Sequence, residues 1–482
     1  MLESAVQDSF REAAAQAAEL VADYLADLPD RPVWQPMPEE ARAALADQPL
    51  PAAGLALPEL LAAAERTVLP YPMGNGHPRF FGWVNAAPAP AGILGSFLAS
   101  AMNPSSAGGD HADIHLERTV VRWIAELVGF PHPPGAGLLT SGASMATIVA
   151  LGAARRRAAE RAGHDVRADG LSGLPPLVGY ATGETHSCVT KAVELLGIGS
   201  RNLRTLPTGP DGRFDPAALR AAVAEDRAAG RLPCFAAASA GTVNAGTVDP
   251  LAEIADVCAE LGLWLHVDGA YGAFGALDPE LGERYRGLER ADSLALDPHK
   301  WLSVPVDCGC LLVRDPEQLR GTFSLVPPYL RDDSDPLGWF SEYGIEQTRP
   351  FRSLKVWATL AHAGRDGLRE RITTCTRLAR RLGELVAEAP DLELLAPVET
   401  SIAAYRFAPA DPAVPADLLD KVNHALPLRV QQRGRAFVTG TVLRGREASR
   451  ACLLNAATTE EDLRVLVEET LAAGRELLAE LA

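Results

Sequence analysis

The chain has 482 residues, room for about three domains at the usual prior of roughly 150 residues each, and enough to bury a sizeable core. Hydrophobic residues at 47% and charged residues at 22% exclude a disordered or fibrous chain. Lys+Arg 45 against Asp+Glu 62 gives a net charge of −17, so the global field repels phosphate backbones and anionic lipid, and neither a nucleic-acid nor a membrane-surface role is expected.

In chain order, residues 1 to about 25 predict a helix, with Ala5, Phe10, Ala13, Ala17, Leu20, Val21 and Tyr24 recurring at spacings of three to five. Its acidic character, with no basic n-region or apolar h-region, argues against secretion. From Leu28 to Pro58 seven prolines interrupt any packed pattern, and this stretch reads as an arm that wraps a partner subunit. No window approaches 18 uninterrupted apolar residues, so no spanning helix is expected.

After His77 helices and strands alternate to about residue 320. The segment TSGASMATIVALGAARR (140–156) has a small-residue turn opening a helix, with Ile148, Leu151 and Ala154 on its apolar face. Free N–H groups at that start, the helix dipole and the serine hydroxyls form an anion cradle, although Ser-Gly before a helix is also ordinary capping. His186, in GETHSCVTKAV, opens another predicted helix, where it can lie on a flat ring or simply cap or pack.

The middle of the chain is the most legible. CFAAASA (234–240) predicts a strand and LAEIADVCAELG a helix, with Leu251, Ile254, Ala255, Cys258 and Leu261 on one face. Asp249 is expected to cap this helix, Pro250 to sit in its first turn and Gly262 to end it. LWLHVD (263–268) follows as a buried strand, which completes a βαβ unit and implies a parallel sheet covered by helices. ADSLAL (291–296) and CGCLLVRD (308–315) add two more strands. From Phe351 onward, long helical patterns and short strands such as IAAYRF (402–407) predict a smaller α+β domain. The seven cysteines lack zinc or disulfide spacing; Cys308 and Cys310 read as small apolar fillers, and the set fits a reducing compartment. The chain reads as cytoplasmic.

The chemistry concentrates beyond strand ends, where ligands of open α/β sheets bind. Lys300, in DPHKWLSVP, follows ADSLAL and is placed to act as an amine nucleophile toward a carbonyl. Alone it is an ordinary exposed lysine. Asp268, in HVDGAYG, precedes it by 32 residues and reaches the same rim. A carboxylate that keeps a heteroaromatic nitrogen protonated, together with a lysine that supplies an imine, is the pair expected for pyridoxal phosphate. Gly269 and Ala270 leave room for a flat ring. By itself HVDG reads equally well as a turn.

The blocks TSGASMAT, ETHSCVTKA, ASAGTVNAGTVDP, LWLHVDGAYG, ADSLALDPHKW and RPFRSLKVW, with HPRFFGWVNA near the start, resemble the group II pyridoxal-phosphate-dependent amino-acid decarboxylases of the aromatic-L-amino-acid decarboxylase type. The resemblance implies a fold-type I, aspartate aminotransferase-like α/β subunit with a mostly parallel central sheet, acting as a homodimer with shared active sites. It divides the chain into an N-terminal helical arm (1–76), a large cofactor domain (77–350) and a small C-terminal α+β domain (351–482). Position by position, Lys300 would bond the cofactor covalently, Asp268 would pair with its ring nitrogen, His186 would stack on the ring and Ala270 would pack against the other face. Gly142, Ala143 and Ser144 would hold the phosphate, with His299 beside it, and Thr242 would lie near the cofactor or the substrate carboxylate.

Trp83, Val84 and Asn85 would line the side-chain pocket, which favours an apolar or aromatic L-amino acid. Arg450 in SRACLLN would face the substrate carboxylate, or else is a surface arginine. The family's proton donor is a tyrosine on a loop reaching the other subunit. Leu325 to Arg349 is the loop here, and Tyr343 is its nearest match, with ordinary packing as the alternative. Departures from the family pattern include Asp297, Met145 and GGDHADIH (108–115). The expected reaction is decarboxylation to the amine. A decarboxylating aldehyde synthase or an aminotransferase is the alternative, and a non-catalytic scaffold is opposed by the intact Lys300, Asp268 and His186. No metal is expected.

Overall fold

The computed structural model of the chain describes residues 2–209, 211–326, 335–410 and 414–482. Seven strands form the larger sheet: β1 (Gly137–Thr140), β2 (Leu177–Thr182), β3 (Leu203–Leu206), β4 (Leu232–Ser239), β5 (Trp264–Asp268), β6 (Ser293–Leu296) and β7 (Gly309–Val313). Their spatial order is β1-β7-β6-β5-β4-β2-β3. The β2–β3, β2–β4, β4–β5 and β5–β6 pairs are parallel. Only β7 is reversed, pairing antiparallel with both β1 and β6. All strands but β7 therefore point the same way, and their carboxyl ends share one rim.

The predicted strands match β4 to β7 and the predicted helix is Leu251–Leu261, with Leu251, Ile254, Ala255 and Cys258 buried. Gly262 ends that helix in the left-handed region at φ +69°, as a residue without Cβ does at low cost. Its other end differs from expectation. Pro250 occupies the cap position, and no side chain caps the first turn. Asp249 instead accepts the N–H groups of Phe214 at 2.9 Å and Ser239 at 2.7 Å, tying two neighbouring segments together. Burial raises its carboxyl to about 6, against which those two bonds pull.

The helix Ala143–Arg161 packs on the sheet through Ala146, Val149, Ala150, Ala153 and Ala154. Small side chains there let the helix axis approach closely. A deeply buried charged pair lies beside this sheet: Arg349 and Glu117, each about 1% exposed, are ion-paired. Glu117 accepts the Leu139 N–H while Arg349 donates to the Leu139 carbonyl, so the pair grips β1 one residue before its end. Removing either partner strands a buried charge, at a cost of roughly 3–5 kcal/mol.

The smaller sheet contains β8 (Leu392–Leu394), β9 (Ile402–Phe407), β10 (Thr439–Leu443) and β11 (Arg446–Cys452), in the order β10-β11-β9-β8. Contacts divide the chain into one unit of Met1–Ala87, Leu378–Pro397 and Ala403–Ala482, and another of Pro88–Arg377 and Val398–Ile402. This differs from three consecutive segments. The arm groups with the C-terminal residues because Val33 is buried against Phe80 and Phe437 and donates its N–H to the Gly434 carbonyl. The second boundary falls inside the helix Arg352–Glu388, which is interrupted at Gly364 with φ +64°. Among the described residues no helix is long and apolar enough to cross a membrane, and the seven cysteines are buried as free thiols.

Candidate active site

Loops at the carboxyl rim bring the two expected groups into one neighbourhood. Asp268 is the last residue of β5, and Lys300 lies four residues beyond the end of β6. The blocks that carry them are locked together by an aromatic pair. Tyr271 stacks on Trp301 with ring centroids 5.1 Å apart and planes 19° apart, which contributes on the order of 1 kcal/mol beyond area burial. The phenol of Tyr271 also donates to Thr400 at 3.1 Å and accepts the Ser401 N–H at 2.8 Å.

Lys300 is 22% exposed, and its Nζ is 2.9 Å from Asp297 Oδ2. The other oxygen of Asp297 accepts the Ala143 N–H at 2.7 Å. Asp297 thus joins the lysine to the first residue of the helix Ala143–Arg161, a role the sequence reading did not give it. The signal was the i, i+3 spacing within DPHK. Gly142 precedes that helix and has no side chain to cap it, so Asp297 supplies the side-chain acceptor at its first turn. A Cβ added at Gly142 would meet nothing nearer than Asp297 Oδ1 and His299 Cε1, both at 3.7 Å, so the space beside the turn is open. Ser144 is exposed there. Gly309 closes the back of the turn: a Cβ on it would sit 2.5 Å from Gly142 Cα.

His299 accepts the Cys308 N–H at Nδ1, 3.1 Å away, so its proton is on Nε2, which lies 3.8 Å from Asp297. Burial holds its pKa below the ordinary histidine value, against the pull of Asp297. His186 caps the helix Ser187–Leu195 by accepting the Cys188 N–H at Nδ1, 3.2 Å away. The capping reading holds, and a ring nitrogen of His186, the Cys188 sulfur and an Asp268 oxygen all lie within 4.8 Å of one another. Loss of solvent around the ring lowers its pKa, with Asp268 acting in the opposite sense.

Asp268 is 8% exposed. One oxygen accepts the Ala270 N–H at 3.1 Å and the other receives the Cys188 thiol at 3.9 Å. No described residue forms an ion pair with it. A buried carboxylate without a cationic partner is costly to maintain. It sits where a protonated ring nitrogen would supply the missing charge. With an amine, a helix start and an open glycine turn on the same rim, the residues fit pyridoxal phosphate. Gly269 does not leave room for a ring, since its Cβ would meet Ala273 at 2.6 Å and Leu294 at 2.8 Å; its smallness serves packing.

The remaining candidates make the following contacts. Thr242 is buried, and its N–H and hydroxyl bond Thr247 across their own loop. Tyr343 is buried and donates its phenol to the Leu337 carbonyl at 2.6 Å, beside Gly135. No described contact joins it to Lys300. Residues 327–334 of the expected loop lie outside the described residues. Trp83, Val84, Asn85 and Arg450 belong to the other unit. There, Arg450 donates to the Trp83 carbonyl at 2.5 Å, which holds Trp83 at φ +44°, a strained value for a tryptophan. The Trp83 ring lies 5.3 Å from Phe437, and Asn85 meets the Met73 sulfur at 3.4 Å.

Behind Asp268, His266 is wholly buried, and burial lowers its pKa to about 4. The unfolded chain protonates this group near pH 6.5 while the folded chain does not, so its contribution to stability is present above that pH and is lost as pH falls toward 4. Urea unfolding of wild type and His266→Gln should show it: between pH 8 and pH 5 wild type is expected to lose about 2 kcal/mol more than the variant. Asp249 titrates in both proteins and cancels in the comparison.

Residues 38–408 match the family described as the pyridoxal-dependent decarboxylase conserved domain. The chain is 32% identical over 461 residues to an aromatic-L-amino-acid decarboxylase of Bacillus atrophaeus, covering 95% of this chain and 93% of the relative. It is 29% identical over 455 residues to a phenylacetaldehyde synthase of Petunia hybrida, covering 91% and 88%. The crystal structure of Oryza sativa TDC with PLP and tryptamine superposes with a TM-score of 0.90 at 29% identity, covering 98% of each chain. With the amine, the buried carboxylate and the open glycine turn already gathered on one rim, the match fixes the family: this chain belongs to the pyridoxal-dependent decarboxylases.

Proposed function

We propose that the chain decarboxylates an L-amino acid with an apolar or aromatic side chain, releasing carbon dioxide and the corresponding amine. The observation that carries this reading is the buried, ion-unpaired Asp268 on the same rim as Lys300. When bound, pyridoxal phosphate supplies an electron sink conjugated to the substrate Cα. Lys300 provides the amine that holds it, and Asp268 keeps a proton on its ring nitrogen. The start of Ala143–Arg161, with Gly142, Ala143 and Ser144, would hold the phosphate through the helix dipole, the N–H groups beyond Ala143, whose own N–H is given to Asp297, and the Ser144 hydroxyl, and His299 Nε2–H would add a donor. His186 and Ala270 would hold the ring, and Thr242 would support the loop beside them.

The preference for an apolar or aromatic side chain is supported by Trp83 and Val84 and by the relatives' substrates. Arg450 is proposed to support Trp83, to whose carbonyl it donates. A homodimer with shared active sites fits the apolar face of the helix Pro90–Met102, where Leu94, Phe97, Leu98 and Met102 are exposed. A cytoplasmic location fits the seven free thiols. Aldehyde synthesis, which consumes oxygen and water and yields ammonia and hydrogen peroxide besides carbon dioxide, has one observation in its favour. The phenol of Tyr343 is bound to a carbonyl of its own chain, which leaves the loop proton donor unassigned.

Product analysis of the purified holoenzyme with tryptophan, phenylalanine, tyrosine and glutamate separates the readings. Carbon dioxide with one equivalent of stable amine from an aromatic substrate is expected. Hydrogen peroxide and ammonia in place of the amine would establish the synthase. Faster turnover of glutamate would overturn the side-chain assignment.

A further inference from the structure

Behind the Asp268 carboxylate lies a buried polar chain to which the cofactor-holding residues assign no purpose. His266 and Asp268 are two apart on β5 and so face the same side of the sheet. From Asp268 Oδ2 the chain runs to the Cys188 sulfur at 3.9 Å and on to Thr147 Oγ1 at 3.8 Å. It continues to His266 Nε2 at 3.3 Å, through Nδ1 to Ser293 Oγ at 2.9 Å, and ends at the Trp264 indole N–H, 2.7 Å from that hydroxyl. Every member is buried.

The direction of these bonds follows from what each end can do. The indole N–H only donates and the ionised carboxylate only accepts. If Trp264 donates to Ser293, Ser293 to His266 Nδ1, His266 Nε2–H to Thr147, Thr147 to Cys188 and Cys188 to Asp268, each proton is used once and no acceptor faces another. The opposite sense at His266 gives the Ser293 oxygen two donors, strands its own proton, and turns the Thr147 proton toward His266 Nε2 and away from the Cys188 sulfur. Burial raises the Cys188 thiol to about 12, so sulfur keeps its proton as a donor. Burial likewise keeps the His266 ring neutral, with a single N–H. A chain of donors aligned on one acceptor polarises cooperatively, and donation to a carboxylate favours its ionised form.

We propose that Cys188, Thr147 and His266 are positioning residues that form a one-way hydrogen-bond relay onto Asp268, holding its carboxylate in place and aimed at the cofactor's ring nitrogen. The inference rests on the proposed function, because it presumes that Asp268 meets that nitrogen. A carboxylate fixed in place by these donors would keep a proton on the ring nitrogen, the electron-poor state a sink requires.

The test titrates pyridoxal phosphate into cofactor-free wild type, Cys188→Ala, Cys188→Ser, Thr147→Val and the double variant Cys188→Ala/Thr147→Val. Binding is followed by visible absorption, and melting of each cofactor-free protein controls for folding. Cys188→Ala is expected to weaken cofactor binding about tenfold and to lower kcat with KM unchanged. Cys188→Ser, which keeps a donor, is expected to recover most of the loss. Because Thr147 acts through Cys188, the double variant should bind no more weakly than Cys188→Ala alone. Additive losses, a serine variant as weak as the alanine variant, or wild-type binding in Cys188→Ala would each overturn the relay. Failure of wild type itself to take up pyridoxal phosphate would instead overturn the proposed function.

Discussion

Replacing Lys300 by alanine is expected to lower carbon dioxide release by at least about 10³-fold, the scale on which a positioned nucleophile or acid–base group acts. Borohydride treatment should fix pyridoxal phosphate to wild type and leave the variant unlabelled. The reason is geometric: Lys300 Nζ is the amine that the rim presents, and Asp297 at 2.9 Å orients it. Asp297→Asn gives a milder control, since it removes the charge facing Lys300 while an amide oxygen can still accept the Ala143 N–H. A Lys300→Ala protein that retained wild-type turnover would remove the catalytic assignment of this residue and leave a scaffold reading in its place.

Asp268→Asn has the second largest expected effect, a fall in kcat of about 10²- to 10³-fold, comparable to losing one preorganised electrostatic contact at a reacting centre. The substitution preserves shape and removes only the charge that keeps a proton on the ring nitrogen. Its effect on folding should run the other way. Asp268 is buried and has no ion pair among the described residues, so neutralising it relieves a desolvation cost in the cofactor-free protein. Cofactor-free Asp268→Asn is therefore expected to melt no lower than wild type while binding pyridoxal phosphate more weakly. A variant that lost stability and activity in parallel would mark Asp268 as a packing residue instead.

The strand ends that carry Asp268 and Lys300 were legible because local pattern places them. An apolar run followed by a polar, glycine-containing turn marks a strand and its carboxyl end, and the βαβ spacing makes neighbouring ends share a rim. His186 was legible as a helix start, which the structure bears out through its bond to the Cys188 N–H. The cap assigned to Asp249 failed for a tertiary reason. Its carboxylate is drawn to the N–H of Phe214, 35 residues away, and to that of Ser239, leaving Pro250 at the helix start. The room assigned to Gly269 failed similarly, because Leu294 and Ala273 fill the space a side chain there would enter.

What the sequence by itself determined is the order of helices and strands, the parallel character of the sheet and the residue types waiting at its rim. All of these follow from periodicity and chain-local turn chemistry. Only the tertiary structure decided the partners of those residues. Cys188 meets Asp268 across 80 positions, Thr147 meets His266 across 119, and Asp297 meets the Ala143 N–H across 154. Such pairs depend on how closely an alanine-rich helix settles on the sheet, and no local spacing encodes that distance. A buried donor must find an acceptor wherever packing brings one, and in this chain packing brings a line of them to the back of Asp268.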